Sequence, residues 1–266
     1  MHFLISWLKC KNMSGSGASD ASIVEDLKKS LMEYGSELVK PYDCTEVLTE
    51  RLDKLEHLLS GHSELDVRVS VVSCISQIIR ITAPDEPYGE ADMKEFFSIA
   101  NRAFGMFPCM YGRAYSKAIS ILNTMSFSES CLMMLDLELH DSIFHMFHLF
   151  LGGIRTQHPY EVFINMEKIM TMVIHNNVDY DEFSLVLVKT LLNYLRKENQ
   201  NVAPVSFKLA VNTLKNCSAD LKTYLPEAVG SLDVPIEDYA EVVVSLFQEA
   251  TQKQITVCLT SFTFFP

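Results

Sequence analysis

The residues best placed to do chemistry lie in the stretch HDSIFHMFHLF, where Asp141, His145 and His148 recur at i, i+4 and i+7. That spacing puts three potential ligands on one face of a helix, as a zinc or iron site would need. The same three residues also read as the wet stripe of a helix otherwise built from Ile143, Phe144, Met146, Phe147, Leu149 and Phe150. No HExxH pattern or flanking carboxylate supports metal catalysis. The expectation is therefore a wet stripe with no metal, and a metal-dependent enzyme on this face is the remote alternative. His140 suits a helix cap better than a ligand.

Other enzymatic signatures are missing. SGSGAS contains a GxG, but not between a strand and a helix, so it is no phosphate loop. There is no GxSxG elbow, and no cysteine carries a nucleophile motif. Arg196 and Lys197 in YLRKENQN suit a solvated helix end that complements the dipole, with a phosphate contact as the alternative. Met133, Met134, Met166, Met170 and Met172 fit adaptable core filling. No enzyme, cofactor or small-molecule substrate is expected.

A different kind of site is suggested by RITAPDEPYGEAD, residues 80–92. Ala83 and Glu86 each precede a proline, which pushes both out of the helical region. Pro84 and Pro87 hold the segment extended, Asp85 and Glu86 add negative charge, and Tyr88 offers a flat apolar face with a hydroxyl. Two readings follow. The segment is an inter-helix turn, or it is a stiff docking site for a short basic or aromatic peptide, which loses little entropy on binding.

The elements that must position these residues are helices. The chain has 266 residues, 48% hydrophobic and 21% charged, enough for a substantial core. Its net charge of −12 argues against the broad basic field that non-specific DNA binding needs. Seven cysteines stand singly, as reduced thiols do. The opening MHFLISWLKCKNM lacks the basic start of a secretory signal, and no apolar run approaches a membrane span. A soluble protein that makes no membrane contact is expected, nuclear or cytoplasmic.

Residues 14–22, SGSGASDAS, read as a polar linker, with Asp43 and Glu46 in capping-box positions further on. Strand patterning and hairpin turns are missing, so the fold is expected to be all-α. One series of helices begins near Asp66, Gly112, Pro159 and Pro204, at intervals of 46, 47 and 45 residues. Partners begin near Glu46, Ala91, Leu139 and Asp181. This period matches the unit of HEAT and armadillo arrays, and predicts an α-solenoid over residues 23–252. Residues 1–22 are expected to be a disordered extension, and 253–266 an atypical tail. In DVRVSVVSCISQIIRIT, Ser70, Ser73, Gln77 and Arg80 share one narrow arc, and Val71, Val72, Ile75, Ile78 and Ile79 occupy much of the rest. Such a helix must be covered on several sides.

The stretch HSELDVRVSVVSCISQIIRITAPDEPYGEADMKEFF resembles a hallmark of the cohesin-associated "precocious dissociation of sisters" family, long HEAT-repeat cohesion factors. The residues that carry the likeness are His62, Asp66, Val67, Arg68, Arg80, Ile81, Ala83, Pro84, Pro87 and Tyr88. Glu64 and Glu86 depart from the family pattern, which has Asp and Ala there. The likeness continues through SESCLMMLDLE, KENQNVAPVSFKLA (most like the plant-type branch) and LKTYLPEAV, over roughly residues 23–230.

The resemblance implies a non-enzymatic nuclear regulator of the cohesin ring, acting in sister chromatid cohesion, cell division and DNA repair. Its implied partners are the ring's kleisin subunit, and releasing and protecting factors that compete through short Tyr-Ser-Arg-type motifs, with chromatin met indirectly. The implied partner-binding residues are Ala83, Pro84, Asp85, Glu86, Pro87 and Tyr88. Asp66 and Arg68 are expected to stabilise a turn within their repeat. The kleisin contacts of the family lie largely in later repeats. Family members continue through many more repeats, so this chain would be an N-terminal part or truncated form, with an exposed apolar end prone to aggregation. Setting the resemblance aside, a HEAT or armadillo adaptor for transport or ubiquitin transfer fits equally.

Overall fold

The computed structural model describes residues 65–82, 88–177 and 181–262, with backbone alone at 81–82 and 253–262. The expected linker at 14–22, the capping box at Asp43 and Glu46, and residues 83–87 and 263–266 lie outside this set. All described elements are helical, and the only β-type pairing among them is an isolated antiparallel bridge between Arg196 and Tyr239. Two compact units divide the chain, one comprising residues 1–103 and 111–130, the other residues 104–110 and 131–266.

The described part of the first unit contains α1 (Leu65–Thr82), α2 (Glu90–Phe104, whose last residue belongs to the second unit) and α3 (Gly112–Ser128). The start of α3 coincides with the expected one, and those of α1 and α2 differ from it by one residue. Helix α1 packs along α3. Val67, Val71, Val72, Ile75, Ile78 and Ile79 are all buried, and each is worth about 1.5–3 kcal/mol relative to exposure. The polar arc is buried as well: Ser70, Ser73 and Gln77 are no more than 5% exposed. From Val69 to Ile79, α1 is thus covered all round, more completely than its apolar residues alone require. At the start of α3, Gly112 has φ +90° in open space, so any larger residue would meet conformational strain rather than a clash.

The second unit contains α4 (His140–Gly153), α5 (Tyr160–His175), α6 (Asp181–Tyr194), α7 (Pro204–Asn216), the short α8 (Leu225–Gly230) and the long α9 (Glu241–Phe262). Pro204 opens α7, where its missing N–H costs nothing, whereas Pro159 stands one position outside α5 as its N-cap. His140 is the first residue of α4 after its N-cap Leu139, and its ring packs 4.6 Å from that of Phe183 on α6; it is a packing residue rather than a cap. Met134, Met166 and Met170 are fully buried, as core fillers.

Side-chain bonds between helices recur at the repeat distance. Gln77 bonds to Thr124 across 47 residues, Asn212 and Asn216 donate to Glu167 across 45 and 49, Cys217 reaches the Thr171 carbonyl across 46, and Tyr224 donates to Asp181 across 43. Each joins a residue to one at or near its counterpart one repeat later. Helices of one series therefore lie side by side within each unit, as a helical-repeat fold requires.

The second unit has two further locks. Phe104, Phe107 and Phe150 form an aromatic cluster with centroids 5.2–6.2 Å apart, and a Cβ on Gly153 would come within 3.2 Å of the Phe107 side chain. Beside it, buried His158 accepts the Arg155 N–H at Nδ1 (2.8 Å), which leaves Nε2–H to donate to the Phe107 carbonyl (3.0 Å). The second lock is Leu195–Lys197. This segment, expected as a solvated helix end, instead bonds through its backbone to Asp238–Ala240: Lys197 N–H donates to Asp238 O at 2.7 Å and Ala240 N–H to Leu195 O at 2.8 Å. Tyr239 is fully buried there, its hydroxyl has no hydrogen-bond partner among the described residues, and burial pushes its pKa up against the opposing pull of Arg196.

These two residues make opposite predictions for urea unfolding. His158→Ala removes the ring and leaves its two buried backbone partners, the Arg155 N–H and the Phe107 carbonyl, unpaired, and is expected to cost about 2–3 kcal/mol. Tyr239→Phe deletes an unpaired buried hydroxyl, and should leave stability unchanged or raise it by up to about 1 kcal/mol. A clear loss from Tyr239→Phe would mean that the hydroxyl is satisfied in solution.

Candidate partner-binding segment

The expected docking segment joins α1 to α2. Ala83, Pro84, Asp85, Glu86 and Pro87 lie outside the described residues, and the structure places what flanks them. On the upstream side, a chain of hydrogen bonds fixes the last turn of α1. Arg80 Nε donates to Gln77 Oε1 at 3.0 Å, Gln77 Nε2 donates to Thr124 Oγ1 at 2.6 Å, and the Thr124 hydroxyl donates to the Ser120 carbonyl at 2.8 Å. The Arg80 guanidinium also lies 6.0 Å from the ring centre of Phe127, an exposed aromatic on α3. A cation over a ring is worth about 0.5–1 kcal/mol at a surface site.

On the downstream side, Tyr88 is 6% exposed. It was expected to present a flat face to a ligand; the structure instead turns most of its surface into the protein, next to the first turn of α2. That turn is closed by the Met93 N–H donating to the Gly89 carbonyl at 3.0 Å. Tyr88 is therefore a buried anchor just before α2. Burial of an aromatic ring is the ordinary way to fix such an end, so a sequence reading could have reached it.

Asp66 and Arg68 occupy the first turn of α1, at the opposite end of that helix. Arg68 forms an ion pair with Glu95 of α2. Lys117 of α3, only 9% exposed, lies 3.8 Å from the Asp66 carboxylate and donates to the Asp66 carbonyl at 3.3 Å. Both residues thus tie α1 to its two successors. Because Glu95 and Asp66 keep substantial exposure, each pair contributes on the order of 1 kcal/mol or less.

Asp141, His145 and His148 form the exposed stripe of α4, with the His148 ring 6.3 Å from that of Tyr194. They make no metal-capable cluster. Among the described residues, the ligand atoms that do come together belong to His175, Cys217 and Asp220.

Helices that pair with counterparts one repeat away, with a bonded connection at each end, define a helical-repeat scaffold. The family model for the sister chromatid cohesion protein PDS5 matches residues 23–227, and the chain belongs to this family. It is 37% identical over 251 residues to PDS5 homolog D of Arabidopsis thaliana, covering 84% of this chain and 30% of that relative. Homolog C of the same plant is 36% identical over 249 residues, covering 84% and 28%. Human homolog B is 24% identical over 194 residues, covering 71% and 13%. The chain thus spans less than a third of the length of these curated relatives. In fold, it is similar to a Pds5 chain solved in the Pds5–Scc1 complex, with a TM-score of 0.67 at 19% identity, covering 90% of this chain and 37% of that one. The fold class is an α-solenoid of HEAT-type repeats.

If the Gln77 relay positions the end of α1, Gln77→Leu should destabilise the chain by about 1–2 kcal/mol, because a near-isosteric side chain removes both of its hydrogen bonds. Urea unfolding followed by circular dichroism checks this. A change within about 0.3 kcal/mol would show that the relay contributes nothing net.

Proposed function

We propose that this chain is a non-enzymatic, nuclear scaffold of sister chromatid cohesion that receives short peptide motifs of cohesin regulators on the segment Ala83–Tyr88. The observation that carries the reading is family membership across residues 23–227. The Scc1-bound relative of similar fold supports cohesin's kleisin subunit as a partner. In this reading Pro84 and Pro87 keep the segment extended and of low entropy, so a ligand strand meets a preformed edge. Arg80 with its relay holds one end and buried Tyr88 the other. Releasing and protecting factors compete for the segment through Tyr-Ser-Arg-type motifs, and their exchange governs how long the ring stays closed, in division and in DNA repair.

The acidic pair Asp85–Glu86 gives this chain its own signature. Two carboxylates beside a peptide's arginine accelerate encounter and make affinity fall with salt. The test is fluorescence anisotropy of a labelled Tyr-Ser-Arg-type peptide. Micromolar binding is expected for the chain as written, with loss in the Pro84→Ala, Pro87→Ala double variant and a shallower salt dependence in Glu86→Ala. A folded chain that binds no peptide would remove the segment from the docking role. An unchanged salt slope in Glu86→Ala would remove Glu86 from the recognition of arginine.

A further inference from the structure

We propose that His175, Cys217 and Asp220 form a binding site for a thiophilic divalent cation of the zinc class, linking the end of α5 to the turn that follows α7. The imidazole Nδ1, the thiol Sγ and a carboxylate oxygen lie within 4.8 Å of one another. They are the three donor types that zinc takes from proteins. Zinc bonds of roughly 2.0–2.3 Å would put tetrahedral ligand atoms about 3.3–3.8 Å apart, so the present arrangement needs shifts on the order of 1 Å.

The surroundings allow those shifts. The His175 and Asp220 side chains are 44% and 41% exposed, at the last residue of α5 and in the short helical turn Ser218–Leu221, so both can adjust. Cys217 is fully buried and forms the floor. Its Sγ faces α5, where the Thr171 carbonyl, one turn before His175, accepts the S–H at 3.9 Å. A cation seated on that sulfur would have two protein ligands above it and a fourth position open to water.

Proton accounting is simple. The His175 ring now donates Nδ1–H to Asp220 at 2.6 Å. On binding, Nδ1 becomes a ligand, the ring proton moves to Nε2 on the solvent side, and the thiol proton leaves to solvent. Burial first, and then the Asp220 charge, push the Cys217 thiol up to about 12 in the metal-free protein. A dication beside the sulfur offsets both effects, as it does for coordinated thiols generally. The ligands come from positions 45 residues apart in His175 and Asp220, so the metal would staple one repeat to the next.

The test uses the full chain, reduced and stripped of metal, titrated with Co²⁺ and then with Zn²⁺. Tetrahedral Co²⁺ on a thiolate gives a near-ultraviolet charge-transfer band and visible d–d bands. One equivalent of Co²⁺ is expected to raise both, and Zn²⁺ to abolish them. Cys217→Ser should remove the charge-transfer band, and His175→Ala, at an exposed position compatible with folding, should weaken Co²⁺ binding at least tenfold. Zn²⁺ should also raise Tm by several degrees in the parent chain and not in His175→Ala. Absence of the bands in a folded parent chain overturns the proposal. So does a spectrum that survives both substitutions, because the metal would then sit on other cysteines.

Discussion

Gln77 sits in the second half of α1, 5% exposed, and hands an amide hydrogen to Thr124, 47 residues later. That bond ties the register of α1 to α3. A helix covered on every side cannot send its polar groups to water, and a buried amide left unpaired costs about 1–3 kcal/mol. Its partner must come from a helix whose register against α1 is fixed. In a repeat fold the dependable neighbour is the equivalent helix one unit on. The second unit obeys the same rule, where Glu167 receives Asn212 and Asn216 at separations of 45 and 49. Polar satisfaction therefore sets the period as firmly as apolar packing does.

Segments outside the helical seam escape this constraint. The connection between α1 and α2 is held at its two flanks, by Arg80 and by Tyr88. On the proposed reading, recognition rests on residues between these two anchors, whereas Gln77 is committed to the core through its bond to Thr124.

Much of this was legible in the sequence, because periodicity reports directly on burial. The starts at Gly112, Pro204 and Asp181 were readable to the residue, and the apolar excess of α1 signalled cover on several sides. What escaped was any feature that depends on contact between distant segments. Leu195–Lys197 looks like a frayed basic end, yet its backbone pairs with Asp238–Ala240, and backbone pairing leaves no mark in side-chain pattern. Tyr88 is mostly buried, which its sequence context leaves open because an aromatic beside prolines suits display and anchoring equally; only the packed neighbours decide. Asp66 and Arg68 stand in the first turn of α1, but their partners Lys117 and Glu95 come from other helices, which no local pattern reveals.

The same distinction separates the two His-containing clusters. Asp141, His145 and His148 share a helix face because their spacing is local, and local spacing is the pattern that a motif search finds. Neighbours on one exposed helix face need not converge, since side chains a turn or more apart splay into solvent unless a second element supplies a ligand or a wall. His175, Cys217 and Asp220 meet for the opposite reason. The repeat brings the end of α5 against the end of α7 and supplies both the buried floor and the half-exposed rim. A period near 45 residues, set by packing and by buried hydrogen bonds, thus also gathers ligands that no short motif could reveal.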